Sequence, residues 1–166
     1  MARWTATRNN WTPVAVGDTT NMTAAGFMAL QGGSSTQRIN LLEIYMGGLA
    51  SASAPAQMLL ARDSTVFVGA TSNAVKNVSL DPATAALAAP PLAQDVGSST
   101  LPQRSSTLYL LTPAFNAFGG IVRWVAAPGE EIGILGNTAS FGEVSLSSGS
   151  AGTPGLMASH FIYEPF

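Results

Sequence analysis

Residues 38–62, RINLLEIYMGGLASASAPAQMLLAR, limit the fold of this chain more than any other segment. If residues 39–46 are extended, Ile39, Leu41, Glu43 and Tyr45 share one face while Asn40, Leu42, Ile44 and Met46 share the other. Both faces are mostly apolar. An antiparallel strand ordinarily keeps one wet face, so a strand apolar on both sides is expected to be covered twice: by the domain's own core, and by a loop, a terminus or another subunit. Gly47 and Gly48 then interrupt the strand, small residues carry the chain across, and residues 57–62 begin the next one. The stretch specifies a fold and a kind of surface, and no chemistry.

The rest of the chain repeats short strands between turn residues. Residues 23–30, 66–70, 107–112, 120–126, 131–135, 142–147 and 159–164 each read as a strand, bounded by Gly17-Asp18, Pro113, Gly119, Pro128-Gly129 and Gly136-Asn137. With the central pair this makes about nine strands and no helical period between them, the pattern of an all-β antiparallel sandwich. A long loop followed by closely spaced strands suits a jelly-roll-like arrangement, although strand order is not legible. At 166 residues the chain is expected to be a single domain. The long excursion, about residues 71–106, is rich in Ala, Pro and Ser. Asp81 as N-cap and Pro82 at the first helical position predict one short helix over residues 83–88. Because loops of this length are commonly functional, Leu87, Pro90 and Pro91 are candidate contacts to a partner or a second subunit. Trp4 and Trp11 lie in a short strand or extended N-terminal arm, about residues 1–13, which either clamps another subunit or seals the core. Tyr45 completes the candidate contacts.

Charge is scarce. Only 10% of the residues are charged, against roughly 25% in an ordinary domain. Ser, Thr, Asn, Gln and Gly take the place of charge on a surface that does little to keep neighbours apart. The single Lys matters because Lys is the usual device for blunting exposed strand edges, so the edges here are expected to be covered by assembly. The six Arg are scattered rather than gathered into a basic stripe, which argues against nucleic acid. No apolar run approaches a membrane span, and MARWTATRNNW has no signal-like apolar core, so a soluble protein without membrane contact is expected.

The inventory for catalysis is thin. Cys is absent, His160 is the lone histidine beside Phe161, Ile162 and Tyr163, and no G-x-S-x-G or phosphate-binding glycine motif occurs. Glu130 and Glu131 are adjacent, which on a strand sends them to opposite faces. No catalytic residue, metal ligand or cofactor is therefore expected, and the chain reads as a non-enzyme. Glu43 is expected to form a structural ion pair with Arg62, with Arg38 as the other candidate. Asn10, Asn21 and Asn77 begin sequons that read as chance matches in an Asn/Thr-rich chain.

Three stretches carry a resemblance: Glu43-Ile44-Tyr45-Met46-Gly47-Gly48, the turn Ala61-Arg62-Asp63-Ser64-Thr65, and Ser159-His160-Phe161-Ile162-Tyr163-Glu164. In these the chain resembles the jelly-roll-type capsid decoration, or cement, proteins of tailed bacteriophages. The resemblance implies a structural virion protein, assembled in the host cytoplasm, that binds the outside of an icosahedral head and stabilises it. Its partners would be copies of itself, as a homotrimer rather than a dimer, and the major capsid protein. The family offers no catalytic residues. The alternatives are a carbohydrate-binding jelly roll, using Trp4, Trp11 and Trp124 as stacking platforms, and another minor head or tail protein.

Overall fold

The computed structural model describes residues 2–13, 26–67, 75–87, 91–94, 101–137, 141–149 and 155–166. These form twelve strands: β1 (Trp4–Trp11), β2 (Phe27–Gln31), β3 (Arg38–Leu49), β4 (Pro55–Thr65), β5 (Val75–Ser79), β6 (Leu92–Gln94), β7 (Gln103–Leu111), β8 (Ala114–Asn116), β9 (Phe118–Val125), β10 (Ile132–Leu135), β11 (Glu143–Ser148) and β12 (Met157–Pro165). Sheet I has the order β10-β3-β12-β1-β5, with β9 continuing along β3 beyond β10. Sheet II has the order β6-β2-β11-β4-β7, with β8 also on β4. Every pairing is antiparallel. The all-β expectation holds, with more strands among the described residues than the about nine read from the pattern, and with β3 and β4 longer than expected.

The sheets form a sandwich around one core. Sheet I contributes Ala6, Trp11, Ile39, Leu41, Ile44, Met46, Phe161 and Tyr163, and sheet II contributes Met28, Leu30, Met58, Leu60, Val144 and Leu146. On β12 the alternation is unbroken: Met157, Ser159, Phe161, Tyr163 and Pro165 are all buried. Its two neighbours each carry a bulge. On β1 the register slips between Arg8 and Trp11, where Asn10 takes a left-handed φ of 50°. On β3 it slips at Leu42, since Leu41 faces Tyr163 while Glu43 faces Ile162.

These slips reverse the inward parity. Ile39 and Leu41 point into the core before the bulge, and Ile44 and Met46 after it. The β3 sequence therefore looks apolar on both faces although only one face is buried; Leu42, Glu43 and Tyr45 are half-buried on the other. The expectation of a doubly covered central strand is corrected accordingly. Double cover belongs to sheet II, where every residue of β2 and β11 is buried. Phe67 and Leu101 pack on its outer side against Phe27 and Ala29.

Other expectations change as well. Residues 4–11 form the short strand and not a free arm, because β1 is hydrogen-bonded to β12 on one side and β5 on the other. The helix over residues 83–88 does not form among the described residues. Asp81 Oδ1 accepts from Ala83 N at 2.9 Å and Asp81 O from Thr84 N at 3.0 Å, and the chain leaves after that turn. Two turns of exposed alanines bury too little to offset helix nucleation. The strand expected over 66–70 is absent at 66–67, while residues 68–70 lie outside the described set.

Two outcomes test this account. A Cβ on Gly48 would lie 2.4 Å from the Ala117 carbonyl oxygen, so Gly48→Ala should cost about 1–3 kcal/mol in urea unfolding. Deleting Leu42 removes the bulge and leaves Ile39, Leu41, Ile44 and Met46 on one face of a regular strand, so cooperative thermal unfolding, followed by circular dichroism, should survive, whereas inserting one alanine between Glu43 and Ile44 turns Ile44 and Met46 outward and should abolish it.

Candidate partner-binding face

Sheet I has one face on which the described residues place no cover like that of sheet II, and cross-strand rows of side chains organise it. Arg123, Tyr45, His160 and Thr7 are successive partners across β9, β3, β12 and β1. The next row runs Val125, Glu43, Ile162, Thr5 and Val78. Arg123 Nη2 and Nε donate to the same Glu43 oxygen at 2.8 and 3.1 Å. The guanidinium lies over the Tyr45 ring, 5.1 Å from its centroid, and Tyr45 packs on His160 with centroids 4.4 Å apart and planes inclined by 31°. Glu43 raises the Arg123 pKa, and burial lowers that of His160, with Glu43 opposing the shift. The result is a fixed polar and aromatic strip, flanked by Val78 at 55% exposure, Val125 at 50% and Ile121 at 78%.

The β9 side of this face is also an edge. Residues 43–49 of β3 occupy one side of β9, and no other described strand pairs with its opposite side. In sheet II, β7 likewise pairs only with β4 among the described strands. Between the two edges opens an apolar cleft of about 250 Å³, with Ile44, Leu60 and Leu146 behind Leu111, Val122 and Trp124. Outward Ile121 and Val125 alternate with inward Val122 and Trp124, so β9 presents apolar surface to both sides.

The residues singled out in the sequence scatter over the fold. Tyr45 lies on the open face. Trp11 is in the core, its Nε1–H donating to Ser159 Oγ at 3.1 Å beneath the Arg8 guanidinium. Trp4 packs half-buried against the same core. Pro91 is buried and accepts from Asn77 Nδ2 at 3.0 Å, Leu87 is half-buried, and Pro90 lies outside the described residues. Asn77 also receives the Tyr163 hydroxyl at 3.1 Å, so the third sequon begins with a structural side chain.

Glu43 pairs with Arg123, not with Arg62. The two residues of the expected pair belong to different sheets, and Arg62 points inward, donating to Gly133 O of β10 at 2.7 Å as a strut between sheets. Arg123, His160 and Ile121 were missed as surface residues. The available signal was the run GIVRWV, which puts its only charge among outward apolar positions.

No group of three or more His, Asp or Glu able to hold a metal ion occurs among the described residues, and these residues form no helix long and apolar enough to cross a membrane. No known protein family, curated protein or solved structure matches the chain. The burial of His160 gives a direct check: its ring protons, followed by NMR, should titrate below the ordinary histidine value of about 6.5, and Glu43→Gln should lower the midpoint further.

Proposed function

We propose that this chain is a non-enzymatic structural virion protein: a capsid decoration subunit that binds the outside of an icosahedral phage head through contacts with the major capsid protein and with copies of itself, as a trimer rather than a dimer. The observation that carries this reading is the β9 edge, unpaired among the described strands, with Phe118, Ile121 and Val125 exposed beside it and no Lys on β9 to blunt it. Such an edge in a chain with few charges is suited to being covered by another protein.

Strand order supports the jelly-roll part of the reading. Apart from the short β5, β6 and β8, and with β9 and β10 taken as one interrupted edge strand, β1-β12-β3-β9/β10 faces β2-β11-β4-β7. This is the arrangement of two nested Greek keys, and jelly rolls of that kind recur in viral coats. The lectin alternative expected platforms from three tryptophans, but Trp11 is in the core and Trp4 and Trp124 pack against it.

Native mass spectrometry should show an oligomer, and the protein should co-sediment with shells of its cognate capsid. Ile121→Lys should abolish both while changing stability by no more than about 0.5 kcal/mol, since Ile121 is 78% exposed. A wild-type protein that stays monomeric at high concentration and ignores the shells overturns the proposal.

A further inference from the structure

The outer side of sheet II hides a row of four polar side chains, one from each of four adjacent strands. Gln31 of β2 faces Glu143 of β11. Val144 faces Arg62 on β4, so the adjacent position sets Glu143 beside Asp63. Asp63 in turn faces Arg104 of β7. All four are buried. The row also holds the backbone of Phe67 at both ends of one residue: Phe67 N–H donates to Glu143 Oε2 at 2.8 Å, and Gln31 Nε2 donates to Phe67 O at 3.3 Å. The Phe67 ring lies on Phe27 and Ala29, over the sheet.

The oxygens of the two acids are divided in a telling way. Ser145 Oγ donates to Asp63 Oδ1 at 2.7 Å, and Phe67 occupies Glu143 Oε2. Asp63 Oδ2 and Glu143 Oε1 are buried with no hydrogen-bond partner, although the register sets the two carboxyls side by side. Two carboxylates are acceptors only, so these neighbouring buried oxygens can satisfy one another only if one of the acids carries a proton.

We propose that Gln31, Glu143, Asp63 and Arg104 form a one-proton latch that fastens Phe67 over sheet II and loosens when the proton is lost. With one guanidinium, two carboxyls and one shared proton the row is electrically neutral, the condition under which charge tolerates burial. Removing the proton leaves two carboxylates side by side with one excess negative charge. That charge must be hydrated, and hydration requires Phe67 to lift. Burial raises the pKa of both acids, and their mutual repulsion raises that of Glu143 further, while Ser145 and the Arg104 charge oppose the rise at Asp63. Among described residues, the polar and charged groups facing the pair are Gln31 from β2, Ser145 from β11 and Arg104 from β7; the cover presents the Phe67 backbone. Because the closed-state values lie above those of exposed acids, the latch is firmest at low pH and weakens as pH rises toward them, by up to about tenfold in opening per pH unit.

Hydrogen–deuterium exchange between pH 5 and 7, the interval between the exposed-acid range and the raised value of about 7 at Asp63, corrected for the chemical rate, tests this on the intact protein. Protection of the Phe67 amide should fall by about tenfold per pH unit while that of Ile44 on β3 does not follow. Glu143→Gln keeps an oxygen for Phe67 and supplies an N–H to Asp63, so it should flatten the dependence. A variant-free readout is infrared difference spectroscopy, which should show one protonated carboxylic acid at pH 7 that disappears at alkaline pH. Phe67 protection that ignores pH, a dependence unchanged in Glu143→Gln, or absence of the acid band overturns the latch. Loss of protection on adding a chelator at pH 6 also overturns it, by showing that a cation and not a proton joins the two acids.

Discussion

A sheet buried on both faces must satisfy every polar group it carries from within, and sheet II is such a sheet. Its inner side packs against sheet I, and its outer side lies under Phe67 and Leu101. Water is displaced from both. The polar side chains on that outer side therefore answer one another: Ser145 bonds Asp63, the two acids lie side by side, and Gln31 and Glu143 take up the Phe67 backbone. Sheet I needs no such arrangement on its open side. The unequal cover of the two sheets assigns them different roles, one as foundation and the other as the face available to a partner.

The fold class was legible because alternation and turn residues are local signals. The strands at 120–126, 131–135, 142–147 and 159–164 fall within a few residues of β9, β10, β11 and β12. The assignment of faces was not legible on β3, because the bulge at Leu42 changes inward parity without leaving a mark in hydrophobicity. On β1 the slip near Asn10 is what seats Trp11 in the core beneath Arg8. The Glu43 pairing failed for a different reason: partners 80 residues apart are chosen by strand order, which no short window contains. The Gln31–Glu143–Asp63–Arg104 row is invisible for the same reason, since its members come from four separate stretches of chain.

Low charge acquires a more definite meaning in three dimensions. Of seven cationic residues, Arg8 and Arg104 are buried, Arg62 braces the sheets, and Arg3 and Arg123 are engaged by Glu164 and Glu43. Two of the nine acids, Asp63 and Glu143, are also buried. The exterior is thus still less ionised than composition suggests. Close approach of another neutral surface meets little electrostatic resistance, and the open edge of β9 supplies backbone groups for such an approach.

The stacked Arg123, Tyr45 and His160 side chains have one further consequence. Long cationic side chains usually surrender rotational freedom when a complex forms, and this opposes association. Here the guanidinium is held by Glu43 and laid on the phenol ring, which is itself braced by the imidazole. Much of that ordering has occurred in the isolated subunit, so a partner meeting this strip encounters a rigid template with little side-chain entropy left to lose.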